Sequence, residues 1–402
     1  MSIGLGINKV ISFKKETTFD TIPAATGAVI LRRTAFAGDP TKTLIESDEM
    51  RTDAQYADVR HGLLTNPITL DTEAVPGGHQ GFYELLFRNT FAAAVTTGAI
   101  TTVTAAAGPP GTFTRSAGSF ITDGFRIGMV VQWTGWATTG TANNLRNYRI
   151  IALTATVMTV SGLGLEVVAA KAAGDSVTCA TPGKRLIMSQ TPVLASGCIE
   201  MWQPDVLASE VFSGMRIATL NLGADPKGMI KASWGAMARR VTTGATQYFT
   251  TPTAPATTGV LGGLGGALRL AGTDRVTVTN ATMVIDGAMS TDAVLGSNLT
   301  PDIFMDRLMV SGTMSVFFDT TDLRDAFLNE TEVSLNLMLT NNASNIAAQF
   351  LSFDMPRVKL NSGQKPDSRN GLQQQISYRA LLHPGAVGID NTTIAVQDSL
   401  AV

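Results

Sequence analysis

Two stretches of this 402-residue chain follow one pattern, and an internal duplication limits the possible folds more than any single motif does. Residues 57–89 read ADVRHGLLTNPITLDTEAVPGGHQGFYELLFRN, and residues 301–329 read PDIFMDRLMVSGTMSVFFDTTDLRDAFLN. Each carries an acid in second place, Asp58 or Asp302. An alternating stretch follows, residues 64–71 or 309–317, and period-two alternation predicts a half-buried strand. A polar turn comes next, then a short amphipathic helix over 81–87 or 322–328, with Thr321 or Asp322 capping the second.

The pattern resumes further on. Residues 212–239 and 353–379 both read as a strand, a turn rich in Gly, Asp, Pro and Lys, and a second strand. In the second strands Ile230, Ala232, Trp234 and Ala236 share one face, as do Leu372, Gln374 and Ile376. The expected fold class is mainly β: a duplicated sandwich or barrel unit, each copy with a short flanking helix, plus a small inserted β domain. The expected boundaries are 1–92 with 183–249 for the first unit, 93–182 for the insertion, a Pro/Thr-rich linker at 250–258, and 259–402 for the second unit. The insertion opens with an Ala/Thr/Gly stretch ending in Gly108-Pro109-Pro110-Gly111. Strands are expected at 125–133, 148–153, 156–160 and 176–179, with a polar loop at 143–147.

Such a chain has ample apolar material, 44% of residues, but only 15% are charged. So few charges do little to keep copies apart, so much of the surface is expected to end in protein–protein contacts. The net charge of −2 provides no basic field to grip nucleic acid. Residues 1–13 lack the basic start of a signal peptide, and no apolar run is long enough for a membrane helix. Cys179 and Cys198 read as buried or incidental thiols.

No catalytic constellation is evident, so no enzyme and no cofactor are expected. His61, His79 and His383 lie in different segments without metal-ligand spacing and read as surface or loop residues. Gly262-Gly263-Leu264-Gly265-Gly266 lacks the strand and helix of a dinucleotide loop, and Gly183-Lys184-Arg185 lacks the hydroxyl residue of a phosphate loop. The pairs Arg32-Arg33 and Arg239-Arg240 are candidates for phosphate contact, or for an inter-subunit salt bridge or a solvated turn.

Several runs resemble the major tail tube proteins of siphophages, the phages with long non-contractile tails. They are residues 16–24 (ETTFDTIPA), 49–53 (EMRTD) with 60–62 (RHG), 296–304 (GSNLTPDIF), 323–335 (LRDAFLNETEVSL), 353–358 (FDMPRV) and 393–399 (TIAVQDS). The resemblance covers nearly the whole chain, the insertion least. It implies a β-sandwich flanked by a helix, whose hairpins join those of neighbours into the wall of a tube. It also implies a place in the virion, assembly in the host cytoplasm, and genomic DNA passing through the lumen without specific binding. The implied partners are further copies of the chain, a tape measure protein, and tail terminator and distal tail proteins, with no membrane.

A one-unit relative forms rings of six, so two units per chain predict rings of three with pseudo-sixfold symmetry. The candidate lumen-facing acids are Glu46, Asp48, Asp53, Asp58 and Asp71 in the first copy, with Glu49 and Glu73 nearby, and Asp286, Asp292, Asp302 and Asp306 in the second, against Arg307. They either line an acidic bore that repels phosphate, or solvate turns and pair with Arg at interfaces. The alternative function is a β-rich adhesin or sugar-binding module of a virion. In that case Trp133, Trp136 and Tyr148 near the Asn143-Asn144 loop would stack on sugar rather than fill the insertion's core.

Overall fold

The computed structural model describes residues 3–108, 110–162, 168–364 and 371–402. Pro109 and residues 365–370, part of the expected turn between the strands of 353–379, lie outside the described residues.

The chain builds one motif twice, in the same order. In the first half the strands are β1 (Ala35–Gly38), β2 (Val59–Glu73), β3 (Ala208–Ala224) and β4 (Lys231–Ala238). In the second they are β5 (Val278–Asp286), β6 (Met309–Phe317), β7 (Phe350–Leu360) and β8 (Gln373–Ala380). All neighbours are antiparallel. The first half runs β1-β2-β4-β3 across the sheet and the second runs β5-β6-β8-β7. The registers correspond: Trp234 sits between Leu70 and Leu220, and Tyr378 sits between Gly312 and Leu360. A bulge at Ala218 adds one residue to β3 that β7 lacks. The halves are joined edge to edge, with β3 pairing β5 from Thr219↔Asp286 to Ala224↔Ala281. The result is an eight-strand wall.

Alternation decides which face of this wall is covered. Ile68 and Leu70 of β2, Ala232, Trp234 and Ala236 of β4, Met283 and Ile285 of β5, and Ile376 of β8 are buried on one side. Against that side lies a second layer in each half. The first contains Thr26–Ile30, Val10–Lys15, Gly197–Gln203, the N-terminal part of β3 and Arg240–Gly244. The second repeats it with Thr273–Arg275, Gly266–Leu270, Val333–Thr340, the N-terminal part of β7 and Ala395–Asp398. Lys184–Ile187 extends this second layer by pairing with Ala395–Asp398. In the tight turn between β3 and β4, Asp225 accepts from the Lys227 backbone at 2.9 Å.

Helix α1 (Gln80–Phe87) lies within the sandwich, with Phe82, Tyr83, Leu85, Leu86 and Phe87 all buried. Its aromatic rings pack on Trp234 and, across the halves, Tyr83 meets Phe353 at 6.2 Å. Helix α2 (Phe120–Asp123) belongs to the insertion, and α3 (Asp322–Leu328) is the second half's counterpart of α1. Thr321 precedes α3 but makes no side-chain capping hydrogen bond.

Residues 96–180 form a separate seven-stranded sheet with its own core of Phe113, Phe120, Phe125, Trp133, Trp136 and Tyr148. The strand expected at 125–133 begins only at Val130. Gly124 (φ 105°) closes α2 and Gly128 (φ 86°) turns the chain, both in the left-handed region that glycine tolerates. This sheet docks on the second half. Gln397 exchanges two 2.9 Å hydrogen bonds with the Val130 backbone, and Asn147 donates to the Ala348 carbonyl at 2.8 Å. The buried Arg149 guanidinium pairs with Asp274 and donates to Asn336 at 3.0 Å.

Candidate assembly surface

The face of the wall opposite the core is polar and of mixed charge, with Lys231, Lys359 and Arg379 on it beside the acids. Thr69 on β2, Ser233 on β4, Asn221 on β3, Thr282 on β5, Thr313 on β6, and Gln375 and Ser377 on β8 all project from it, out of phase with the buried residues. Neighbouring hydroxyls bond across strands, as Thr282 with Thr313 at 2.8 Å. Of the nine candidate acids, two stand on this face. Asp71 accepts from Ser233 at 2.5 Å, and Asp286 ends β5 opposite Thr219. Glu73 is also on β2, across from Lys231.

The other seven are carried on two arms that leave the wall. The first arm, residues 39–63, contains the strand Thr41–Glu46, which pairs with the start of β2 and is exposed throughout. It bears Glu46, Asp48, Asp53 and Asp58. Asp53 pairs with Arg51 at 2.9 Å, which holds its carboxyl below the usual range, and Asp58 pairs with Arg60 at 2.7 Å. The arm also exposes Leu44, Ile45, Met50 and Tyr56, with Met50 fully in solvent. The second arm, residues 287–308, carries Asp292, Asp302 and Asp306. Asp302 pairs with Arg216 at 3.0 Å, and Asp292 and Asp306 are exposed. The arms touch where the Leu64 amide donates to the Asn298 carbonyl at 2.8 Å.

Each of the basic pairs has partners within the chain. Arg239 and Arg240 both pair with Asp20, the latter at 3.0 Å. Arg32 donates to the Thr258 carbonyl at 2.7 Å and Arg33 to the Lys9 carbonyl at 2.5 Å. His79 is not the surface residue its sequence context implied. It precedes α1, packs 6.1 Å from Trp234, and burial pushes its imidazole down to about 4. Trp133, Trp136 and Tyr148 fill the insertion's core and present no open ring. Cys179 and Cys198 are buried, unpaired thiols, both shifted upward chiefly by desolvation. Among the described residues no group of three His, Cys, Asp or Glu side chains could hold a metal ion, and no helix is long and apolar enough to cross a membrane.

The wall has two ends. The outer edge of β1 and the outer edge of residues 359–364, at the end of β7, pair with nothing among the described residues. An eight-strand sheet with two open edges, backed by a duplicated core and bearing projecting arms, is suited to being one segment of a larger closed sheet. The family model for "Phage tail tube protein" matches residues 6–380. This chain belongs to the phage tail tube protein family. It is a structural component of a phage tail tube, a virion part that assembles with copies of itself and with other tail proteins. No curated protein matches it. For a tail tube protein, the exposed second-half helix and the identity of the two open edges are the features that the sequence did not disclose. The one available signal was the shared acid that ends β5 as Asp286 and follows β1 as Asp39.

Proposed function

We propose that three copies of the chain close into a ring, that the eight-strand walls join into one barrel, and that rings stack into a siphophage tail tube that conducts DNA during ejection. The observation that carries this reading is the wall itself: two four-strand motifs in matched order, already joined at one edge pair and open at the other. Three chains give 24 wall strands. At about 4.8 Å per strand such a barrel measures roughly 37 Å across at the backbone before tilt widens it. Side chains then leave room for one duplex, whereas six chains would double the bore. The polar face lines the lumen in this arrangement, and its hydroxyls and amides, with Asp71 and Asp286, let phosphate slide without binding. The acidic arms extend the low affinity for DNA to the ring junctions and reach toward the next ring. The insertion lies on the outside. Tape measure, terminator and distal tail proteins are the partners, with assembly in the host cytoplasm.

Electron microscopy of concentrated purified protein tests the reading, since hollow striated tubes are expected and a dispersed monomer would overturn it. Replacing Asp71 and Asp286 with Lys leaves tubes intact but slows DNA ejection. Unchanged ejection would remove the lumen assignment.

A further inference from the structure

The joint between the halves is a template for the joint between chains. β5 occupies in the second half the place β1 occupies in the first, because Met283 pairs Gly312 of β6 as Phe36 pairs Leu70 of β2. β7 likewise corresponds to β3, with Leu360 in the place of Leu220. Within the chain β3 pairs β5. The two counterparts, residues 359–364 and β1, stand unpaired at opposite ends of the wall.

We infer that residues 359–364 of one copy pair antiparallel with residues 34–39 of the next copy in the β3–β5 register, so that Lys359 faces Asp39, Leu360 faces Gly38, Asn361 faces Ala37 and Ser362 faces Phe36. This rests on the ring assembly proposed above and specifies its contact. Two independent observations fit this occupant. The charges complement: Lys359 and Asp39 stand where Thr219 and Asp286 stand within the chain, and both fall on the polar face, so Lys359, whose partner within the chain is the exposed Glu330 at 3.0 Å, gains a second acid at the seam that Thr219 does not have. The apolar phase is kept, with Leu360 and Phe36 on the core side.

The second observation is the helix behind each joint. α1 packs on β3 and is roofed by Leu186 and by Phe353 of the second half. α3 packs on β7 without an equivalent roof. Phe327 is 36% and Leu328 62% exposed, where their counterparts Leu86 and Phe87 are 0% and 1%. This apolar patch lies behind the open edge, where the first half of a neighbouring copy would cover it.

The test is cysteine cross-linking of tubes assembled from full-length protein. Ala37→Cys with Asn361→Cys in one chain places the thiols opposite each other between copies. Within a chain the two positions are separated by seven strand spacings, on the order of 34 Å, too far for a disulfide. Oxidation is expected to give covalent ladders ending at the ring size on a non-reducing denaturing gel. Ala37→Cys with Lys359→Cys, two residues out of register, is expected to stay monomeric. Wild-type tubes with no linkage of the first pair, or linkage of the second pair instead, would overturn the register while leaving ring assembly standing. Absence of wild-type tubes would overturn ring assembly itself. Should the cysteine variants not assemble, charge reversal decides: Asp39→Lys or Lys359→Asp alone lowers tube yield and the double variant restores it, whereas a double variant no better than the singles overturns the pairing.

Discussion

Helix α1 and helix α3 occupy the same place in two copies of one motif, yet their surroundings differ. Five of α1's eight residues are buried, whereas only Leu323 of α3 is. The first half has its neighbour built into the chain, and the second half ends in solvent. The difference shows that the fold unit is incomplete by itself: its sheet edge and helix roof come from whatever stands next to it. Duplication supplied one such neighbour covalently and left the other to assembly.

The sharpest way to break this comparison is a charge at equivalent helix positions. Phe87→Asp buries an unpaired carboxylate and is expected to cost about 4 kcal/mol or more, enough to unfold most of the chain. Leu328→Asp is expected to change monomer stability by less than about 0.5 kcal/mol and to abolish tubes. Denaturant titration and microscopy read the two effects, and equal destabilisation would mean that the halves do not differ in this way.

The second comparison concerns the insertion, which is encoded in the first half but docks on the second. Arg149→Ala leaves Asp274 with Arg269 alone, removes the hydrogen bond to Asn336 and empties the buried guanidinium site between insertion and second half. A loss of about 3 kcal/mol is expected, together with faster proteolysis between the insertion and the second half. An unchanged digestion pattern would show that the docking does not depend on this pair.

Much of the duplicated fold was legible because alternation and turn chemistry are local. The strand Met309–Phe317 and the helix Asp322–Leu328 have the bounds their pattern predicts. Strand pairing between the halves was not legible, since the contact of β3 with β5 joins residues about sixty apart with no local signature. The same limit explains Arg239, whose partner Asp20 lies 219 residues away. His79 looked exposed because it sits in a Gly-rich turn, and the packing of Trp234 from a distant segment, with Phe82 one turn along α1, encloses it. The acids were legible as a group. Their division between wall and arms was not, because it depends on where β2 and β5 leave the sheet.

A smaller effect separates two buried titrating groups. His79 is pushed down from 6.5 to about 4 by burial, so its contribution to stability is present above pH 6.5 and is lost as pH falls toward 4. Asp398 is pushed up from 3.8 to about 6, again chiefly by burial, so the stability of its protonated form is present below pH 3.8 and is lost as pH rises through 6. The slopes oppose each other between pH 4 and 6. Asp398→Asn removes one of them, and relative to wild type its stability should fall by roughly 2 kcal/mol on acidification from pH 6.5 to 4. Parallel curves for variant and wild type would contradict the assignment.

The smallest effect is expected at Arg357, whose pairing with Glu332 at 2.6 Å is exposed to solvent. Arg357→Ala should change stability by less than about 1 kcal/mol, read by denaturant midpoint, with tubes intact. A larger loss would mean that this surface supports the second half more than its exposure implies.

The account rests most directly on the number of chains in a ring. Helical reconstruction of purified tubes is expected to show three chains per ring, each spanning a third of the circumference with two similar lobes and one external insertion. Six chains per ring, or a wall in which the two halves do not occupy equivalent positions, would contradict it.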